Sequence, residues 1–194
     1  MSVGRLSKNK RPELLLKTFA ELARIHSSFE LRLVGGDWQG LRSQLQQEAE
    51  QLGIADRVFF AGKVSEQELV GEYARASFFV SASQHEGFGI SVVEAMACGC
   101  VPLVNHIPAF ESFIIEQKTG FWVDFSKSVQ AANQIQKIRT DNVDVIRQNA
   151  VQHAQSFSWK NRINDWVRVY EKLVAQKAGT KKSQNRSNNH SVPI

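Results

Sequence analysis

Apolar positions along this chain alternate between two periods. Leu15, Phe19, Leu22 and Ile25 recur at spacings of four, three and three. That is the period of a helix with one buried face, and it predicts an amphipathic helix over residues 11–26. Leu31-Arg32-Leu33-Val34 before Gly35-Gly36 reads as a strand ending in a turn. Residues 39–52 are polar and helix-prone. Val58-Phe59-Phe60-Ala61 before Gly62 reads as a buried strand. Ser65 and Glu68 stand in the spacing of a capping box and open a short helix to about Arg75. Phe78-Phe79-Val80 is the next strand, followed by a loop from Ser81 to Gly89. A helix from Ile90 to Ala97 stops at Gly99. Val101–Val104 and Phe121–Val123 supply two more strands. Surface helices are predicted over 127–139 and 142–155, and a last helix from about Ser158 to Lys177.

Strands alternating with helices predict a doubly wound, Rossmann-like α/β domain: a parallel sheet covered by helices. Such a fold needs a strand before its first helix. Here only Val3 and two neighbours are on hand to form it, so the chain looks cut at its front. On the last helix Trp159, Ile163, Trp166, Tyr170 and Leu173 repeat at spacings of four, three, four and three, one apolar stripe. Trp159 and Trp166 read as packing residues within it.

Composition changes this picture at the C-terminus. The net charge is +5, from 24 basic and 19 acidic residues. Four of the basic residues (Lys177, Lys181, Lys182, Arg186) lie in 177–194, which has no acidic residue. Removing them leaves 20 basic against 19 acidic, a balance that argues against a nucleic-acid-binding domain. The segment 177–194 reads as a disordered basic tail. The first residues hold no apolar signal-peptide core, and no apolar run is long enough to span a membrane. Cys98 and Cys100 are too close in sequence to staple a fold, which fits a reducing, cytoplasmic setting.

Two segments carry candidate chemistry. Glu86-Gly87-Phe88-Gly89-Ile90-Ser91-Val92-Val93-Glu94 lies between a buried strand and a helix. It therefore falls at the carboxyl end of the sheet, where open α/β sheets bind ligands. Gly87 and Gly89 permit close backbone approach, and the amides opening the helix favour a phosphate. Eight residues of helix rise about 12 Å, so the two carboxylates could hold hydroxyls at either end of a nucleotide sugar. The plainer alternative is a glycine turn with one capping and one solvated glutamate. The second segment, Val3-Gly4-Arg5-Leu6-Ser7-Lys8-Asn9-Lys10-Arg11-Pro12, also follows a strand and precedes a helix. Arg5 could bind phosphate through paired hydrogen bonds and Lys10 as a point charge. Its plainer alternative is a solvated basic turn.

Together these segments resemble the family-4 retaining glycosyltransferases. Gly4-Arg5-Leu6 with Lys10 is similar to their "GRL…K" entry, and Glu86 and Glu94 to their two-glutamate signature. Phe60-Ala61-Gly62-Lys63-Val64 resembles their "F-x-G-x-V" strand, and Phe157-Ser158-Trp159 the start of their closing helix. The resemblance implies the C-terminal half of a GT-B enzyme: residues 1–176 as nucleotide-sugar-binding domain, closing helix 158–176 included, with the N-terminal acceptor domain absent. In such enzymes the closing helix packs on that domain, so part of its apolar stripe is expected to be exposed. It implies that Arg5 and Lys10 bind the donor diphosphate and, with Glu86, form the catalytic set. Glu86 would hold the donor sugar hydroxyls with the amides of Gly87, Phe88 and Gly89, and Glu94 the ribose. Gly36, Lys63 and Val64 would lie near the base, and Ile90 and Ser91 along the phosphate and nucleoside cleft. No metal would be needed. The stretches GRLSKNKRPELLL and EGFGISVVEAMA are most similar to bacterial exopolysaccharide mannosyltransferases that act on diphosphoprenyl-linked sugars. That implies GDP-mannose as donor, a lipid-linked or saccharide acceptor, and a cytoplasmic enzyme in peripheral contact with the inner membrane face. A non-catalytic nucleotide-sugar-binding module and an inactive truncated product are the alternatives.

Other features carry less. Cys98-Gly99-Cys100 could be a metal or redox pair but reads as packing. His85 is set aside because the family's important histidine belongs to the other domain. Gly35-Gly36-Asp37 lacks the glycine spacing of a dinucleotide site.

Overall fold

The computed structural model describes residues 1–138 and 140–187, and their side chains except at 140–141 and 178–187. Among the described residues, six strands and seven α-helices follow one another, alternating as far as β5: β1 Ser2–Val3, α1 Pro12–Ile25, β2 Leu31–Val34, α2 Arg42–Gln51, β3 Val58–Gly62, α3 Glu66–Arg75, β4 Phe78–Ser81, α4 Ile90–Ala97, β5 Val101–Val104, β6 Phe121–Trp122, α5 Ser128–Gln136, α6 Thr140–Gln155 and α7 Trp159–Ser187. The elements predicted from periodicity are all present. Residue 139, the last of the predicted fifth helix, lies outside the described residues, as do 188–194 of the predicted tail. The helix α7 runs on through the first part of that tail to Ser187.

All strand pairs are parallel. They form two three-stranded sheets, ordered β1-β2-β3 and β4-β5-β6. Met1 joins their edges: its amino nitrogen donates to Phe78 O at 2.8 Å, and Val80 N donates to Met1 O at 2.7 Å. The strands thus stand in the spatial order β3-β2-β1-β4-β5-β6, the doubly wound order. Strand order reverses between β1 and β4, and the loops leaving those two strands carry both candidate segments.

The core explains why these elements hold. The strand β5 is buried along its whole length, so its side chains are apolar on both faces. The helix α1 buries Leu14, Leu15, Leu16, Phe19 and Leu22 and packs against α2 and α5. Its partner α5 contributes Ala131, Ala132 and Ile135, so it is only half a surface helix. The capping box of α3 is formed in both directions: Ser65 Oγ accepts from Glu68 N, and Glu68 Oε2 accepts from Ser65 N at 2.8 Å. The helix α2 starts at Arg42, later than its polar pattern suggested. Asp37 supplies its cap, its two carboxylate oxygens accepting the Leu41 and Arg42 amides. Those amides hold the Asp37 carboxyl below its ordinary range.

The chain divides into a unit from Met1 to Ala154 and a second unit beginning at Gln155. In the second, Trp159 and Trp166 are 80% and 56% exposed. Part of the stripe is thus exposed, as expected, and the reading of these two rings as packing residues is corrected. The stripe has the right spacing to pack, but among the described residues these rings stay exposed.

Candidate functional site

The loops after β1 and β4 are tied to each other. Asn9 Nδ2 donates to His85 O at 2.7 Å, and Gln84 N donates to Asn9 O at 3.0 Å. Beside these ties, one residue further along each loop, lies an ion pair: Lys10 Nζ donates to Glu86 Oε1 at 2.5 Å. The two side chains are 26% and 15% exposed, so the pair is shielded yet open to the cleft. Two residues far apart in sequence, one from each candidate segment, thus sit in direct contact at the switch point.

The loops after β2 and β3 join the same edge. Gly4 N donates to Val34 O, Leu6 N to Gly36 O, and Gly35 N to Gly62 O. The approach is so close that a Cβ on Gly35 would lie 2.0 Å from Gly4 O. Gly36, Lys63 and Val64 follow the carboxyl ends of β2 and β3, Lys63 exposed and Val64 half-buried. Arg5 is exposed and stacks on Trp38, its guanidinium carbon 4.8 Å from the ring centroid. Such stacking restrains a long side chain without neutralising it.

The start of α4 completes the arrangement. Gly89 caps the helix in the left-handed region, φ 91°, and a Cβ there would lie 2.5 Å from Phe110 Cε1. With no capping side chain, the amides of Gly87, Gly89, Ile90 and Ser91 have no acceptor among the described residues. These free donors and the helix dipole form a ready anion site. Phe88 packs edge-on against Phe113, ring centroids 5.8 Å apart, while Ile90 faces solvent.

Glu94 lies one turn further along α4. Its Oε2 accepts a hydrogen bond of 3.0 Å from the hydroxyl of Tyr73, a residue of α3 that is 2% exposed. Burial, then the neighbouring Glu94 carboxylate, pushes the Tyr73 phenol far above its ordinary range, so it acts as a donor throughout the physiological range. Sequence reasoning missed Tyr73, Trp38 and Asn9. Tyr73 and Trp38 are aromatics in polar stretches, and nothing in local spacing links them to Glu94 or Arg5.

Of the features set aside, only Cys100 packs in the core. Cys100 is fully buried and its Sγ donates to Tyr73 O and Ala76 O, while burial pushes the thiol up to about 11. Cys98 is exposed and both thiols are free. His85 contributes a carbonyl to the loop tie. Among the described residues, no group of three or more His, Cys, Asp or Glu side chains could hold a metal ion. No helix among them is long and apolar enough to cross a membrane.

A model of the family described as "Glycosyl transferases group 1" matches residues 1–157. The chain belongs to that family. Among its group 1 relatives, the GDP-mannose:cellobiosyl-diphosphopolyprenol alpha-mannosyltransferase of Xanthomonas oryzae pv. oryzae is 32% identical over 173 residues, 86% of this chain and 45% of that protein. The D-inositol 3-phosphate glycosyltransferase of Acidothermus cellulolyticus is 30% identical over 185 residues, 90% of this chain and 41% of that protein. The solved sucrose-phosphate synthase of Thermosynechococcus elongatus superposes with TM-score 0.79 and 26% identity, over 90% of this chain and 45% of that one. The chain spans less than half the length of these relatives. Its fold is the Rossmann-like, C-terminal type of domain found in GT-B glycosyltransferases.

Proposed function

We propose that this chain is the donor-binding part of a metal-independent, retaining hexosyltransferase of family 4. The observation that carries this reading is the contact between Lys10 and Glu86 at the switch point, beside the free amides opening α4. In this reading Arg5, Lys10 and those amides stabilise the charge that grows on the leaving diphosphate as the anomeric C–O bond breaks. Fixed positive groups of this kind replace a divalent cation. Glu86 orients the donor sugar through its hydroxyls, with the amides of Gly87, Phe88 and Gly89. Glu94 holds the ribose, Gly36, Lys63 and Val64 border the base, and Ile90 and Ser91 line the cleft between.

GDP-mannose is the proposed donor. The name of the Xanthomonas relative, which gives GDP-mannose and a diphosphopolyprenol-linked acceptor, supports that donor and a lipid-linked acceptor. Polysaccharide assembly at the cytoplasmic face of the membrane is part of the same proposal. A second reading places a cyclitol phosphate in the acceptor role, since the Acidothermus relative, named for D-inositol 3-phosphate, is nearly as similar. Either way, transfer requires an N-terminal acceptor-binding domain or subunit as partner. The alternatives to catalysis, a pure binding module and an inactive product, share the same donor site and differ only in turnover once that partner is supplied.

The two glutamates separate the roles. Glu94→Gln is expected to weaken GDP and GDP-mannose alike, because its target is the ribose. Glu86→Gln is expected to spare GDP and to weaken GDP-mannose by about 1.5 kcal/mol, the lower range for a hydrogen bond to a charged group. Calorimetric titration of both ligands in EDTA measures this. Equal weakening of both by Glu86→Gln removes Glu86 from the sugar site, and binding that appears only with added Mg²⁺ removes the metal-independent reading.

A further inference from the structure

We infer that Tyr73 is the positioning residue for the nucleotide's ribose, acting through Glu94. The inference rests on the donor-site reading above, in which Glu94 receives the ribose hydroxyls. Glu94 itself is exposed on α4, and an exposed glutamate ordinarily samples many rotamers. Tyr73 removes that freedom. Its ring is fully enclosed between α3 and the sheet, against Phe79 at 6.4 Å between centroids. The backbone behind it is fixed as well, since the buried Cys100 thiol donates to Tyr73 O.

A ring held this firmly can aim its single proton at one place. Two acceptors are in range, Glu94 Oε2 at 3.0 Å and Ser91 O at 3.3 Å. The carboxylate is both nearer and charged, and so takes the proton. One oxygen of Glu94 is thereby committed to the protein, and Oε1 is left for a ligand. The carboxylate is preorganised before nucleotide arrives, and the ordering of its side chain is not charged against binding.

The test is Tyr73→Phe, which deletes one oxygen and keeps the ring. The ligands are GDP and its 2′,3′-dideoxy counterpart, titrated calorimetrically into the full chain, with thermal unfolding followed in parallel. GDP is expected to bind about three- to tenfold more weakly to Tyr73→Phe, the dideoxy ligand unchanged, as for one side chain that must now be ordered on binding. Glu94→Gln serves as the control for the underlying reading. If Glu94→Gln leaves the preference for GDP intact, the ribose role of Glu94 fails. If Glu94→Gln abolishes that preference and Tyr73→Phe does not reduce it, the inference about Tyr73 is overturned. NMR relaxation of the Glu94 side chain reads the same anchor without nucleotide. Its order is expected to fall in Tyr73→Phe, and unchanged order overturns the inference whatever the affinities.

Discussion

At the residue scale, the molecule uses charge in two ways. Lys10 and Glu86 meet at the cleft, where the pair stays open to ligand. Arg32 and Glu72 meet away from it, at the amino ends of β2 and β4. There the guanidinium donates to both carboxylate oxygens, Nε to Oε2 at 2.6 Å and Nη2 to Oε1 at 2.8 Å. The Arg32 hydrogen bonds hold the Glu72 carboxyl below its ordinary value of 4.5. A carboxyl lowered in the folded state adds stability that is complete above its unfolded value and lost as pH falls through the folded one. Glu72→Gln is therefore expected to lower stability at pH 7 by about 2 kcal/mol, less than for a fully buried pair because Arg32 is partly solvated. The gap from the parent chain should shrink below pH 4.5. Urea unfolding at pH 7 and pH 3.5 measures it, and a gap of equal size at both would show that Glu72 acts through packing.

At the element scale, local pattern was enough to read the strands and helices, because each carries its own period and its own stop. Pro12 opens α1, Ser65 and Glu68 cap α3, and Gly99 ends α4 with φ 87°. The candidate segments were legible for the same reason, since strand, glycine turn and helix follow one another in sequence. What sequence could not supply was the third dimension. The Lys10–Glu86 contact, the Asn9 tie and the Tyr73–Glu94 bond each join elements that only the sheet order brings together. The helix α7 shows the opposite limit. Its spacing marks an apolar stripe, of which Trp166 and Tyr170 are 56% and 64% exposed. An apolar stripe left open is a partner surface or an aggregation liability. The chain is expected to self-associate, and Trp166→Gln with Tyr170→Gln is expected to relieve it. Sedimentation velocity over a concentration series checks this, and a parent chain that stays monomeric at high concentration would contradict it.

At the scale of the whole molecule, the doubly wound order sets what the protein can do. Four parallel strands, β3, β2, β1 and β4, release their loops along one edge, and every proposed donor contact lies on those loops or on the helix that follows β4. Positive side chains and free amides gather there with the two glutamates, while Asp37 on the same edge is engaged by the amides opening α2. Such an edge favours a ligand with negative charge at its centre and hydroxyls at its ends, the shape of a nucleotide-diphosphate sugar. The most direct test is calorimetric titration of GDP-mannose into the full chain in EDTA, beside Arg5→Ala and Lys10→Ala. Measurable binding by the parent chain is expected, with a loss of roughly 1.5–3 kcal/mol in each variant, the range for hydrogen bonds to charged groups. Affinity unchanged in both variants, or no binding by the parent chain of any nucleotide-diphosphate sugar, would contradict it.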